Sequence, residues 1–170
     1  MAHREQIEFC QMIRRSYPGF FIHRKVLDIG SLDINGNNRF LFRHCQYTGI
    51  DIGIGENVDV VCPVHLYEPG YLFGFIICTE TLEHDRHYRL SLKKMFDLLS
   101  PEGGLLITCA TTGRPQHGTI DCKPEDSPFT TDYYQNISES VFRELFPVGG
   151  FSLYKLVINS DDLYFFGIKK

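Results

Sequence analysis

Residues 25–36 read KVLDIGSLDING, and the fold is predicted from this segment first. Its apolar run, residues 26–29, leads directly into Gly30, a pattern that predicts a buried strand followed by a tight turn. Gly30 and Gly36 carry no Cβ, so the backbone can approach a ligand closely there, and its amide groups can face an anionic part of that ligand. The segment therefore predicts the first strand of a sheet with a ligand-binding turn at its carboxyl end.

Short apolar runs and amphipathic segments alternate on both sides of this stretch. Further strands are predicted at residues 47–52, 58–61, 73–78, 105–110, 151–159 and 163–169. Helices are predicted at residues 4–15, 88–99 and 139–146, with a short helix at 37–42. Ser138 is the predicted N-cap of the last helix, and Pro101 with Gly103 and Gly104 predicts a turn before the strand at 105.

This alternation predicts an α/β fold, a Rossmann-like doubly wound sheet that is mostly parallel and covered on both faces. Ser160, Asp161 and Asp162 join the last two strands, which predicts a C-terminal antiparallel hairpin. Only residues 53–57 separate the second and third strands, whereas a parallel crossover normally needs about a dozen residues or more. We therefore expect a fold that is trimmed between strands 2 and 3.

The acidic residue at the end of the second strand indicates the kind of ligand. Asp51 lies 21 positions after Gly30, and a carboxylate about 20 residues beyond a glycine turn commonly accepts hydrogen bonds from a ribose diol. The dinucleotide pattern G-x-G-x-x-G is absent, because residues 31–35 read Ser-Leu-Asp-Ile-Asn. A nucleoside cofactor without a pyrophosphate is therefore favoured over a nicotinamide or flavin dinucleotide.

Four stretches in order resemble the class I S-adenosylmethionine-dependent methyltransferases, and in particular a compact methyltransferase-domain group. They are VLDIGSLDINGN at 26–37, YTGIDIGIGENVDVV at 47–61, IICTETLEH at 76–84 and LLSPEGGLLIT at 98–108. The resemblance implies S-adenosylmethionine as the cofactor. It also implies one domain over residues 1–170, with an N-terminal helix in 1–24, a cofactor-binding core in 25–110, a substrate-side loop in 111–136, and a helix with the closing hairpin in 137–170.

The resemblance further implies roles for the residues that match its motifs. The methionine part of the cofactor would contact Asp28, Gly30 and Ser31. The ribose would contact Asp51, the adenine would lie near Ile52, Val64 and His65, and the amino group or the transferring methyl would face Thr79 and Glu80. Two positions depart from the family pattern, since Pro63 and Gly74 stand where many relatives carry acidic residues.

Methyl transfer to a hydroxyl or a protonated amine requires a general base, and histidine is the side chain most easily poised for this near neutral pH. His84 and His117 are the candidates, with Glu80 as a third catalytic residue. We expect Arg114, His117, Asp132 and Tyr133 to contact the acceptor, because they lie in the long loop at 111–136. Glu80, Glu83, His84, His117 and Asp121 could surround a divalent metal ion, but their spacing is not diagnostic, so no metal site is expected.

Composition sets the remaining expectations. A formal net charge of −4 argues against a large nucleic-acid-binding surface, which leaves a small-molecule acceptor as the expected substrate. Six cysteines without a C-x-x-C pair, and no apolar run near the roughly 18 residues that span a bilayer, predict a cytoplasmic protein with no membrane partner. The sequence leaves the oligomeric state unknown.

Two alternatives to an enzyme of this kind stay open at the level of sequence. The chain could be a non-catalytic module that binds S-adenosylmethionine or S-adenosylhomocysteine and serves a partner protein. It could also be a nucleotide-binding fold with a different nucleoside ligand.

Overall fold

The computed structural model describes residues 4–170 and is built on one seven-stranded sheet. The strands are β1 (Lys25–Ile29), β2 (Gln46–Asp51), β3 (Val60–Val61), β4 (Phe73–Thr79), β5 (Leu99–Ala110), β6 (Phe151–Asn159) and β7 (Asp162–Lys169). The helices are α1 (Arg4–Ser16), α2 (Tyr88–Leu98) and α3 (Glu139–Leu145). The first three residues of the predicted N-terminal segment lie outside the described residues.

The strand order is β3-β2-β1-β4-β5-β7-β6. Neighbouring strands from β3 to β5 run parallel, while β7 is antiparallel to both β5 and β6. This arrangement confirms the predicted Rossmann-like α/β fold with its C-terminal hairpin. The order reverses between β1 and β4, and in open sheets of this kind ligands bind at the carboxyl ends of the strands beside such a reversal.

Apolar side chains cover both faces of the sheet, as the continuous apolar runs predicted. Because side chains alternate along a strand, Leu27 and Ile29 pack with α2 and α3 on one face, whereas Val26 packs on the other face. On that second face the partners include Cys10 and Ile13 of α1. The Ser138 Oγ accepts a hydrogen bond from the Val141 amide, which confirms the predicted N-cap of α3.

The connection between β2 and β3 is irregular and contains no α-helix, in agreement with the predicted trimming. β3 has only two residues and pairs through Ile50↔Val60 and Asp51↔Val61. The short helix predicted at 37–42 is a single 3-10 turn, Arg39–Leu41.

The turn predicted before residue 105 is wrong, because β5 already begins at Leu99 and includes Pro101 and Gly103. The pairing with β4 shifts from Phe73↔Leu99 to Phe75↔Gly104, so the residues between them form a bulge rather than a break in the strand. Glu102, with φ of 58°, provides the left-handed backbone that this bulge requires.

Helix length and cysteine state bear on two expectations about the setting of the protein. Within residues 4–170 the longest helix, α1, has 13 residues, and no helix is long and apolar enough to span a bilayer. All six cysteines are free thiols.

Candidate functional site

A cavity of about 610 Å³ opens at the carboxyl ends of β1, β2 and β4. Ile29 pairs with Ile50 in the parallel register, so Gly30 and Asp51 follow adjacent strands at the same edge of the sheet. The cavity is lined by every residue for which the sequence predicted cofactor contact: Asp28, Gly30, Ser31, Asp51, Ile52, Val64, His65, Thr79 and Glu80. Side chains of residues 4–170 do not fill the cleft between the glycine turn and the Asp51 carboxylate.

The bend after β1 depends on glycine for two reasons. Gly30 adopts a φ of +72°, in the left-handed region that other residues rarely occupy, and its amide donates to the Ile50 carbonyl at 2.9 Å. A Cβ at this position would lie 2.0 Å from Thr81 Oγ1. The chain after β1 therefore turns tightly over the segment that follows β4, which leaves the cavity open beside it.

Asp51 holds the glycine turn against the end of β2. Its Oδ2 accepts a hydrogen bond from the Leu32 amide at 3.2 Å, and its Oδ1 accepts one from the Gly53 amide at 2.9 Å. Burial raises the pKa of Asp51, and the hydrogen bonds from Gly53 and Leu32 limit that rise. Each carboxylate oxygen can accept more than one hydrogen bond, so ligand hydroxyl groups can bind to the same carboxylate.

Asp28 is a second carboxyl group at the cavity and is almost completely buried. It accepts hydrogen bonds from Tyr47 Oη and from Asn38 Nδ2, the latter at 3.3 Å. Burial raises the pKa of Asp28 to about 7, although both hydrogen bonds favour the charged form. Asp28 can therefore change charge near neutral pH when a cationic ligand enters the cavity.

Two parts of the wall were not predicted from the sequence. Asn38 lines the cavity and donates to Thr79 Oγ1 at 3.0 Å, which links the ends of β1 and β4. Gln6, Ile7 and Cys10 of α1 also line it. The helical periodicity of α1 indicated an apolar face, but that pattern carries no signal for which part of the face covers a ligand site.

The loop predicted to face the substrate covers one side of the cavity. Residues 126–130 line it, together with the predicted acceptor residues Asp132 and Tyr133. The Phe129 ring packs against Gly53 so closely that a Cβ on Gly53 would lie 2.0 Å from it. Asp132 Oδ2 accepts a hydrogen bond from Arg86 Nη2 at 2.7 Å, which fixes this part of the loop to the start of the α2 region.

Arg114 and His117, the other two predicted acceptor residues, do not line the cavity. The Arg114 guanidinium forms ion pairs with Asp162 at 3.0 Å and with Asp161 at 3.6 Å. These partners occupy the turn of the C-terminal hairpin, so Arg114 is held against that hairpin rather than towards the cavity. The sequence could not show this, because Arg114 and the two carboxylates are far apart along the chain.

The three predicted catalytic residues occupy different positions relative to the cavity. Glu80 and His84 line it, and Thr108 Oγ1 donates to Glu80 Oε1 at 2.8 Å. His117 lies behind His84, with 5.0 Å between the ring centroids. Burial lowers the pKa of His84 to about 3 and also lowers the pKa of His117, which favours the neutral form of both imidazoles.

Pro63, one of the two positions that depart from the family pattern, lines the cavity beside Val64 and His65. It offers neither a carboxylate nor a backbone donor to an adenine. Gly74, the other such position, lies at the opposite end of β4, where a Cβ would be 3.3 Å from Arg24 Cδ. Of these two positions, only Pro63 lies at the cavity.

No family model and no curated protein sequence matches the chain. Among solved structures, the N-methyltransferase NodS from Bradyrhizobium japonicum WM9 in complex with S-adenosyl-L-homocysteine is 17% identical, with a TM-score of 0.63 over 97% of this chain and 87% of that chain. The 1,6-didemethyltoxoflavin-N1-methyltransferase of Burkholderia thailandensis is 17% identical, with a TM-score of 0.66 over 96% of this chain and 77% of that chain. Phosphoethanolamine N-methyltransferase 2 of Haemonchus contortus, in complex with S-adenosyl-L-methionine, is 15% identical, with a TM-score of 0.64 over 95% of this chain and 52% of that chain.

Identities this low establish the fold and nothing finer. The likeness nevertheless extends over nearly the whole chain and agrees with the strand order of the sheet. The chain has the Rossmann-like fold of the S-adenosylmethionine-dependent methyltransferases.

Proposed function

We propose that this chain is an S-adenosylmethionine-dependent methyltransferase that acts on a small-molecule acceptor. The observation that carries the proposal is the open cavity that the Gly30 bend and the Asp51 carboxylate line together at the carboxyl ends of adjacent strands. A volume of about 610 Å³ suits a nucleoside cofactor with a small acceptor beside it. Structural neighbours that are named as methyltransferases of small molecules support the same reading.

The residues at the cavity fit this cofactor part by part. Asp51 would bind the ribose hydroxyl groups, since an ionised carboxylate forms strong hydrogen bonds with such a pair of donors. The adenine would lie among Ile52, Val64 and His65, and the methionine part would follow the glycine turn past Asp28, Gly30 and Ser31. Thr79 and Glu80 would then face the amino group or the transferring methyl.

S-adenosylmethionine supplies an electrophilic methyl group on a positively charged sulfur when it is bound. The residues of the chain therefore need to orient the acceptor in line with that methyl and to exclude water. α1 and the loop around Phe129 cover the cavity from two sides, which serves the second task. Asp28 in its ionised form would stabilise positive charge nearby.

We propose that Glu80 and His84, which line the cavity, accept the proton that the acceptor loses. His84 is neutral and can accept a proton, but its pKa of about 3 makes it a weak base unless the acceptor changes its environment. His117 does not line the cavity and would act through His84. The free thiols favour a reducing compartment for this chemistry.

Calorimetric titration with S-adenosylhomocysteine tests the cofactor site. We expect the wild-type protein to bind with an affinity on the order of micromolar. Asp51→Ala removes charge-assisted hydrogen bonds worth about 1.5–3 kcal/mol each, so binding should weaken by at least about tenfold. Asp97→Ala is the matched control, because Asp97 forms an exposed ion pair with Lys93 on α2 and does not line the cavity, so its loss should leave the affinity unchanged.

Equal affinity of the wild-type protein and Asp51→Ala would remove Asp51 from the site, and absence of binding would refute the proposed cofactor. Transfer of a labelled methyl group from S-adenosylmethionine into a pool of small metabolites tests turnover. Binding without transfer to metabolites, protein or RNA would instead support the non-catalytic module.

A further inference from the structure

A second group of polar side chains lies beside the cavity, behind the ring of His84. Glu83, His84 and His117 each offer one ligand atom to this group, and the three atoms lie within 4.8 Å of one another. Glu83 and His84 follow β4 directly, whereas His117 comes from the loop after β5. The group therefore forms only when the two segments pack together.

Five of the six polar atoms of this group have no hydrogen-bond partner among residues 4–170. Glu83 is 0% exposed and His84 is 6% exposed. Within residues 4–170, no partner in hydrogen-bond geometry is found for either Glu83 carboxylate oxygen, for either ring nitrogen of His84, or for Nε2 of His117. Buried polar groups are nearly always paired or bound to an ion, so three converging unpaired side chains point to a ligand.

The orientation of His117 is the one that metal-binding histidines show. Its Nδ1 lies 3.2 Å from the Pro115 carbonyl oxygen, so Nδ1 carries the proton and donates it to that oxygen. The lone pair then resides on Nε2, the nitrogen without a partner. A hydrogen bond from the non-ligating nitrogen to a carbonyl is the usual way in which proteins fix a ligating imidazole.

The backbone after His117 is also shaped to bring the two histidines together. Gly118 has a φ of +63°, and a Cβ there would lie 2.7 Å from Cε1 of His84 and 2.8 Å from Cβ of Ser127. Glycine is thus the residue that allows the loop to pack directly on the His84 ring. Tyr134 completes the enclosure, with its ring centroid 5.0 Å from that of His117 and 5.4 Å from that of His84.

We propose that Glu83, His84 and His117 form a binding site for one divalent first-row transition metal ion, of the class of Zn²⁺, Mn²⁺, Fe²⁺ or Co²⁺. Two imidazoles and one carboxylate are the donor set that these ions take in proteins, often with further positions open to exogenous ligands. A hard ion such as Ca²⁺ would prefer an all-oxygen set. The proposal revises the sequence-based expectation that the chain has no metal site.

The position of the site suggests its use. His84 lines the cavity, while Glu83 and His117 do not, so the metal would lie behind the His84 ring and hold that ring at the cavity wall. A coordinated His84 has no free lone pair, so Glu80 would then accept the proton of the acceptor. This role rests on the proposed methyl transfer, whereas metal binding itself does not depend on it.

Titration of the chelator-treated full chain with Zn²⁺, without any cofactor, tests the site by calorimetry. Co²⁺ absorption provides a second readout, since its ligand-field bands report nitrogen and oxygen coordination directly. We expect one equivalent of metal per chain and a rise in the thermal unfolding temperature on binding. Glu83→Gln and His117→Gln should each weaken binding by at least about tenfold, the effect already typical of the outer-shell partners of metal ligands.

Asp121→Asn is the matched control, because Asp121 is an exposed carboxylate that lies outside the group. It should bind Zn²⁺ as the wild-type protein does. If Glu83→Gln does not fold, His117→Gln decides, since His117 lies half-buried in a loop. Absence of saturable one-equivalent binding, or equal affinity in the wild type and both ligand variants, overturns the proposal.

Titration with S-adenosylhomocysteine separates this proposal from the proposed function. Metal binding without S-adenosylhomocysteine binding would leave the metal site standing and refute the methyltransferase. Binding of S-adenosylhomocysteine by a protein that does not bind metal would support the proposed cofactor and refute the metal site.

Discussion

Gly30 shows how the backbone at one residue shapes the cavity. Its φ is positive, and a Cβ at this position would clash with Thr81. Glycine therefore allows the chain to turn in this direction and to pass close to the segment after β4. Asp51 then fixes the turn by accepting the Leu32 amide. A change at Gly30 should therefore act on the fold and on the cavity together.

Gly30→Ala is expected to destabilise the protein by roughly 1–3 kcal/mol, because alanine would be strained at this φ and would displace Thr81. It should also weaken binding of S-adenosylhomocysteine. Urea unfolding and calorimetry measure the two effects. Gly19→Ala is the control, since a Cβ at Gly19 has no atom within 4 Å, and its unfolding free energy should change by less than about 0.5 kcal/mol.

At this scale the sequence predicted Gly30 and Asp51 well, because their spacing along the chain reflects the geometry of two adjacent parallel strands. Asn38 was not predicted, although it contacts both Asp28 and Thr79. Its contacts depend on how an irregular segment returns to the sheet, and no local pattern encodes that path.

Among the structural elements, the loop at 111–136 depends most on the rest of the fold. Its middle, residues 126–130, lines the cavity, whereas its beginning follows Arg114 towards the C-terminal hairpin. Phe129 packs on Gly53 of the β2–β3 connection. The loop thus closes the cavity by using the space that the trimmed connection leaves.

Phe129→Ala should weaken binding of S-adenosylhomocysteine by about threefold to tenfold, because the exposed half of the ring lines the cavity and a bound ligand would bury it. The unfolding free energy should change by less than about 1 kcal/mol, since the residue is 51% exposed. Ile120→Ala, at a residue of the same loop that is 76% exposed and does not line the cavity, should bind as the wild type does. Equal weakening in both variants would show that the loop acts through its overall order and not through Phe129.

The bulge in β5 illustrates an element that the sequence misjudged. Pro101 and the glycine pair at 103–104 carry the local signals of a turn, and local signals dominate a prediction made without tertiary contacts. In the fold, pairing holds the two ends of the segment, because Leu99 pairs with β4 and Gly104 pairs with both β4 and β7, while residues 100–103 form the bulge. Tertiary pairing therefore overrides the turn preference.

At the scale of the whole molecule, one buried carboxyl group links folding to pH. Asp28 has a pKa of about 7 in the folded protein, against an ordinary value of 3.8, because burial disfavours its charged form. The folded state therefore holds this proton more tightly than the unfolded state does. The contribution of Asp28 to the free energy of unfolding is therefore fully present below about pH 4 and is lost as the pH rises through about 7.

Asp28→Asn should remove this dependence. The shift corresponds to roughly 4 kcal/mol between the two limits, so the difference in unfolding free energy between wild type and variant should change by that order from pH 4 to pH 8. Urea unfolding at several pH values measures it. Asp97→Asn, an exposed carboxylate on α2, serves as the control and should follow the wild-type profile. Parallel profiles of the wild type and Asp28→Asn would contradict the raised pKa.

Sequence patterns alone predict the alternation of strands and helices, the closing hairpin and the common edge of Gly30 and Asp51. These features depend on periodicity and spacing between residues that are near each other along the chain, which local physics encodes. Only the tertiary structure decided that Arg114 pairs with the hairpin turn, that α1 covers the cavity, and that His117 meets Glu83 and His84. Those contacts join segments that are far apart in sequence, so they exist only where the packing of the whole sheet and its loops brings the segments together.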